Sequence, residues 1–196
     1  MTGRVRIVAV LAAFAVVSLS GCQLLGRVSV PIGSPPLNPS ASSAPSSSPS
    51  LSADGAFVAF TSEAANLVAG DTNGAADVFV RSQTTGAVTR ASVASGGGQS
   101  AGAASEPAIS GDGQFVAFTS AASDLVAGDT NGVGDVYVRD RVSGTTERVN
   151  LTSGGGQSAG AASEPAISGD GRYVAFTSAA SDLVAGDTNG VGDVFV

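Results

Sequence analysis

ISGDGQFVAFTSAASDLVAGDTNGVGDVYVR, running from Ile109 to Arg139, returns almost letter for letter from Ile167 to Val196 and in a looser copy from Leu51 to Arg81. Asp54-Gly55, Asp112-Gly113 and Asp170-Gly171 keep the register, each pair 58 residues after the last. A fixed period of this size marks a repeat architecture, in which each unit is one supersecondary element that buries its faces on its neighbours. Residues 101–138 and 159–196 differ only at Gln114/Arg172, Phe115/Tyr173 and Tyr137/Phe195, so the second and third copies are near-duplicates.

Within the second copy the spacing predicts four short strands. Ser105–Ser110 is the first, and Gly111-Asp112-Gly113 makes a tight turn from residues that tolerate positive φ. Gln114–Ser120 is the second strand and, after an excursion, Asp135–Arg139 is the third. Ser143-Gly144 turns the chain into a fourth, Thr145–Leu151. The middle strands are apolar at successive positions (Phe115, Val116, Ala117, Phe118), which suits a sheet covered on both faces. The fourth alternates, with Glu147 and Arg148 on opposite faces, as an outer edge strand guarded by charge does. The expected fold is all-β, built of β-propeller blades of four antiparallel strands, one per 58-residue repeat. The units fall at 47–104, 105–162 and, in part, 163–196. Two and a half units fall short of the roughly 4–8 that close a ring, so the repeat count predicts an incomplete array, truncated from a longer chain.

Glu164 to Ser178 (EPAISGDGRYVAFTS) and Asp135 to Asp140 (DVYVRD) resemble the WD40-like repeat of TolB-type β-propellers, over roughly Ser47 to Val196. Ile109 and Ile167 stand where that family usually has Trp, and Gly111 and Gly169 where it usually has Pro. The resemblance implies a propeller that works by binding protein partners at the cell envelope.

The N-terminus predicts export. Arg4 and Arg6 precede an apolar run, Ile7 to Val17, too short for the ~20 residues of a membrane-spanning helix. Leu19-Ser20-Gly21-Cys22 then resembles the lipobox of bacterial lipoproteins. That resemblance implies a signal peptide over 1–21 and acylation of Cys22, the chain's one cysteine. Gln23, where an Asp would favour the inner membrane, points to the outer membrane if the cell has one. From Pro31 to Ser50 the chain is rich in Pro and Ser and free of charge, the composition of a tether.

Each unit also carries Gly-Asp-Thr-Asn-Gly-x-x-Asp: Asp71, Asn73 and Asp77; Asp129, Asn131 and Asp135; Asp187, Asn189 and Asp193. Oxygen side chains so spaced around a glycine suit calcium, which takes 6–8 oxygen ligands. The loop is similar to that of integrin-type propeller repeats, although position 5 holds Ala75, Val133 or Val191 instead of an acid. The same residues also suit a purely structural turn, since Asn-Gly is a strong hairpin signal. Asp124 and Asp182, with Asn66 in the first unit, read as solvated loop positions, and Asp112 with its equivalents as turn residues.

Composition narrows the function. The chain of 196 residues has 16 acidic and 9 basic side chains, net −7, which disfavours nucleic acid. It has no His, which excludes imidazole-based triads and metal sites. The many serines lie in linkers and loops without a partner base, so no catalytic residue and no enzyme activity are expected of this segment. The expectation is a lipid-anchored, non-catalytic binding or scaffold module of the cell envelope with a protein partner. Two rivals stay open: a propeller gating a hydrolase further along the chain, and a calcium-stabilised surface module.

Overall fold

The computed structural model describes residues 42–196; the expected signal peptide, Cys22 and most of the tether lie outside them. Eleven strands occur among the described residues, and no helix. β1 (Ser46–Leu51), β2 (Phe57–Ser62), β3 (Asp77–Ser82) and β4 (Val88–Arg90) form one antiparallel sheet in that order. β5 (Ala104–Ile109), β6 (Phe115–Ser120), β7 (Asp135–Asp140) and β8 (Thr145–Arg148) form the second, and β9 (Ala162–Ile167), β10 (Val174–Ser178) and β11 (Asp193–Phe195) the third. Each sheet therefore uses one repeat, strand after strand.

The middle strands form because they can bury both faces. In β3, Val78 and Val80 join Val116, Phe118 and Tyr137 of the second sheet, while Phe79 turns the other way onto Phe60 and Leu67. The second sheet repeats the division: Tyr137 faces the first sheet and Val136 packs with Phe176 and Leu183 of the third. At roughly 1.5–3 kcal/mol per fully buried large apolar side chain, these interfaces are the main source of cohesion. The register that sets this alternation pairs Phe118 with Tyr137 and Ala117 with Val138.

First strands gather together while fourth strands lie apart. The Ala53 amide donates to the Gly111 carbonyl at 2.9 Å, and the Gly111 amide to the Gly169 carbonyl at 2.9 Å, linking equivalent residues of successive units. A Cβ on Gly111 would stand 2.8 Å from the Gly169 oxygen. Glycine, with its N–H and without a side chain, is therefore required where related repeats usually carry proline.

Two expectations are corrected. The Pro/Ser segment stops being a tether at Ser46, where β1 begins and pairs with β2 from Ser46↔Ser62 to Leu51↔Val58. Pro49 is tolerated because it falls in the register shift between Ser47 and Ser50, where no ladder N–H is required. Pro107 lies in the matching bulge of β5, after Glu106 at φ 54°. That left-handed backbone is fixed partly by the Glu106 carboxylate, which accepts from Thr119 Oγ1 and from the Glu164 amide, each at 2.9 Å. The second correction concerns the fourth strand, which ends at Arg148 and not at Leu151. There the ladder passes to a side chain, the Val136 amide donating to Asn150 Oδ1 at 3.0 Å.

Candidate functional site

The Asp-Thr-Asn-Gly loop joins β6 to β7, and its polar residues converge as their spacing predicts. Asn131 Nδ2 donates to both Asp135 oxygens at 3.3 Å and to the Ser158 carbonyl at 3.0 Å. Its Oδ1 accepts from the Val133 amide at 3.2 Å. This local Asx turn lies within the excursion from 121 to 134 that joins β6 to β7. Asp129 and Asp135 are nearly sealed, their side chains 3% and 0% exposed.

Between the two carboxylates lies a guanidinium. Arg148 Nη1 is 3.1 Å from Asp135 Oδ2 and 3.4 Å from Asp129 Oδ1. Asn150 Nδ2 donates to Asp135 Oδ1 at 2.6 Å, and Gln157 Nε2 to Asp129 Oδ1 at 2.8 Å. The Tyr137 hydroxyl donates to Asp129 Oδ2. Burial first, then the hydrogen bond to Asp129 and its charge, raise the Tyr137 pKa far above the ordinary 10.0. Arg148, read from the sequence as an edge charge, is thus buried at 8% exposure, while Glu147 beside it is exposed.

The first unit builds the same cluster with one loss. Arg90 lies 3.4 Å from both Asp71 and Asp77, and Gln99 Nε2 donates to Asp71 at 3.1 Å. Ser92 takes the place of Asn150 and donates to Asp77 at 2.6 Å. Phe79 stands where the second unit has Tyr137, so Asp71 accepts no phenol. Burial pushes the Asp77 carboxyl above its ordinary 3.8, against the Ser92 hydrogen bond and the Arg90 charge. In the third unit Asn189 Nδ2 donates to Asp193 at 2.9 Å, and Asp187 lies on the same loop.

The cation held between the paired carboxylates of the first two units is therefore arginine. Asp124, a further candidate ligand, points elsewhere: it accepts from Ser100 Oγ and the Ala101 amide, both at 2.8 Å, on the connection before its own sheet. Asp182 repeats this with Ser158 Oγ and Ala159, and Asn66 with Ser43, at 2.6, 2.8 and 3.0 Å. These residues are exposed, as expected of loop positions, and their hydrogen bonds also make them latches. Asp112 is the turn residue expected, accepting from Ser110 Oγ at 2.6 Å and the Gln114 amide at 2.9 Å, which hold its carboxyl below the ordinary 3.8.

Each repeat forms one antiparallel sheet, with first strands clustered, fourth strands outermost and equivalent latches joining successive sheets. The repeat is a β-propeller blade. No family model matches the sequence, and no curated protein does. Among solved structures, the chain is similar to a protein assigned as TolB from Agrobacterium tumefaciens, at 20% identity, a TM-score of 0.47, and coverage of 68% of this chain and 38% of that one. It is similar to TolB from Acinetobacter baumannii at 19% identity and a TM-score of 0.43, covering 80% and 33%. The β-propeller domain of the Trilobed protease from Pyrococcus furiosus matches at 16% identity and a TM-score of 0.42, covering 74% and 41%. The blades thus span about a third to two fifths of each of these chains.

Proposed function

We propose that these blades belong to an exported propeller, lipid-anchored through Cys22, that serves as a non-catalytic protein-binding or scaffold module at the cell envelope. One observation carries the non-catalytic part: the converging polar groups of the first two blades hold one another. Asp129 is taken up by Arg148, Gln157 and Tyr137, and Asp135 by Arg148, Asn131 and Asn150. A general base needs a lone pair free for a substrate proton, and these carboxylates are committed to the fold. The export signal and Cys22 support the envelope address.

Fractionation of cells expressing the full chain and its Cys22→Ser variant tests the anchor. The native chain is expected in the membrane fraction carrying labelled acyl chains, and the variant is expected soluble and unlabelled. Membrane attachment unchanged by the substitution would overturn the anchor. Site-specific photo-crosslinking from exposed blade positions in intact cells tests the binding role. A discrete protein adduct is expected; its absence from every blade surface would overturn it.

A further inference from the structure

The inner ends of neighbouring blades meet in a contact that repeats. The amides of Ala53 and Gly111 donate to the carbonyls of Gly111 and Gly169, one blade further on. The Phe57 ring lies on Gly113 and the Phe115 ring on Gly171, each where a Cβ would collide with it. Each blade thus offers an amide and an aromatic ring to the next, which receives them on a carbonyl and a glycine.

The outer two blades each show one open half of this contact. On the third blade the Gly169 amide has no partner among the described residues, and Tyr173, at the place of Phe57 and Phe115, is 57% exposed. Val194, which the pairing Thr177↔Val194 puts on the same face, is exposed, whereas its equivalents Val78 and Val136 are fully buried. On the first blade the Ala53 carbonyl has no partner among the described residues, and a Cβ on Gly55 would meet nothing within 4 Å. Leu51 there is 63% exposed, while its equivalent Ile109, covered by the preceding blade, is 6% exposed. Phe60, Phe79 and Leu67 are already buried at the centre of that face, so its open part is the inner end that carries the repeating contact.

We propose that a second copy of this chain docks head to tail, its first blade seated on the third blade of the other. The Gly169 amide donates to the Ala53 carbonyl of the second copy, and the Tyr173 ring lies on its Gly55. Leu51 of that copy is covered as Ile109 is. The Glu164 carboxylate, already held by Thr177 Oγ1 at 3.2 Å as Glu106 is by Thr119, takes the Ser48 amide as Glu106 takes the Glu164 amide. Ser48 holds φ 50°, matching Glu106 at 54° and Glu164 at 53°. The two surfaces differ, so the contact is heterologous and either closes into a ring or grows. The described residues of one copy form three sheets, so two copies supply six, within the roughly 4–8 that close a ring, and three copies would exceed it. The inference stands apart from the scaffold reading, as it concerns self-association alone.

Sedimentation equilibrium of the full chain carrying Cys22→Ser, which keeps an acyl anchor out of the measurement, tests it. A reversible monomer–dimer equilibrium is expected. Gly169→Ala is the decisive variant. In the single chain a Cβ there meets nothing within 4 Å, so the monomer should keep its melting temperature. In the docked pair it falls on the facing carbonyl, as a Cβ on Gly111 would stand 2.8 Å from the Gly169 oxygen. The dimer should therefore weaken by about tenfold or more through overpacking. A merely adhesive apolar face would not respond in this way, since alanine adds apolar surface. Leu51→Asp, on the opposite surface, is expected to leave a folded monomer. A Cys22→Ser chain that stays monomeric, an assembly larger than two copies, or a dimer undiminished by folded Gly169→Ala or Leu51→Asp would each overturn the proposal.

Discussion

Changing Arg148 to alanine removes the one cation between two buried carboxylates. With Asp135 at 3.1 Å and Asp129 at 3.4 Å, an effective dielectric of about 20 gives each pair roughly 5 kcal/mol of gross attraction. Much of that offsets the cost of removing the charges from water, so the net effect is smaller. Breaking a buried pair by removing one partner costs about 3–5 kcal/mol, because the remaining charge is left uncompensated. With an m-value of about 2 kcal/mol/M, the urea midpoint should fall by roughly 2 M. The triple variant Asp129→Asn, Asp135→Asn, Arg148→Met removes the charges together and should recover a good part of the loss. A midpoint for Arg148→Ala within about 0.3 M of the native chain, or a triple variant worse than the single one, would refute the reasoning, since the lone buried charge must be the costly state.

Tyr137→Phe should cost about 1–2 kcal/mol in urea unfolding, the worth of its hydrogen bond to the Asp129 carboxylate; the first blade already works with Phe79 at that place, so a loss of folding would contradict this. Gly111→Ala puts a Cβ 2.8 Å from the Gly169 oxygen and should lower stability by roughly 1–3 kcal/mol through overpacking; an unchanged melting temperature would refute the close approach between blades. Asp54 is held low by the Ala56 amide and then Ser52, Asp112 by Ser110 and then the Gln114 amide, and Asp170 by Ser168 and then the Arg172 amide. Because these folded-state values lie below 3.8, their stabilisation is complete above that pH and is lost as pH falls through the lowered values. Acid unfolding should therefore become shallower below pH 3.8 in Asp112→Asn; an acid limb unaltered in its slope would count against it.

The architecture was legible because it repeats. Two-faced apolar strands such as Phe115–Ser120, a turn set by Asp112-Gly113 and a constant period are local signals, and the structure places them where they read. Strand four was only half legible. Alternation put Glu147 and Arg148 on opposite faces, but sequence alone does not say which face is buried, and the buried one carried the arginine. A signal for it existed: Arg90 and Arg148 occupy the same place in their units, as do Gln99 and Gln157, in step with the aspartates they hold. The latches at Asp124 and Asp182 could not be read locally, because their partners lie 23 and 24 residues back, on the preceding connection. The start of β1 was half legible: the repeat period begins the first unit at residue 47, but composition carried the tether on to Ser50, because these serines have little strand propensity and are held by pairing with β2.

The central claim is that arginine closes the paired-carboxylate loops and commits them to holding the blades. Its most direct test is calorimetric titration of calcium into the full chain bearing Asp187→Asn and Asp193→Asn, with melting temperature followed in parallel. Closure by Arg90 and Arg148 predicts no saturable heat and an unchanged melting temperature. Saturable binding that raises the melting temperature and disappears in Asp129→Asn would contradict it, and would make these loops calcium sites.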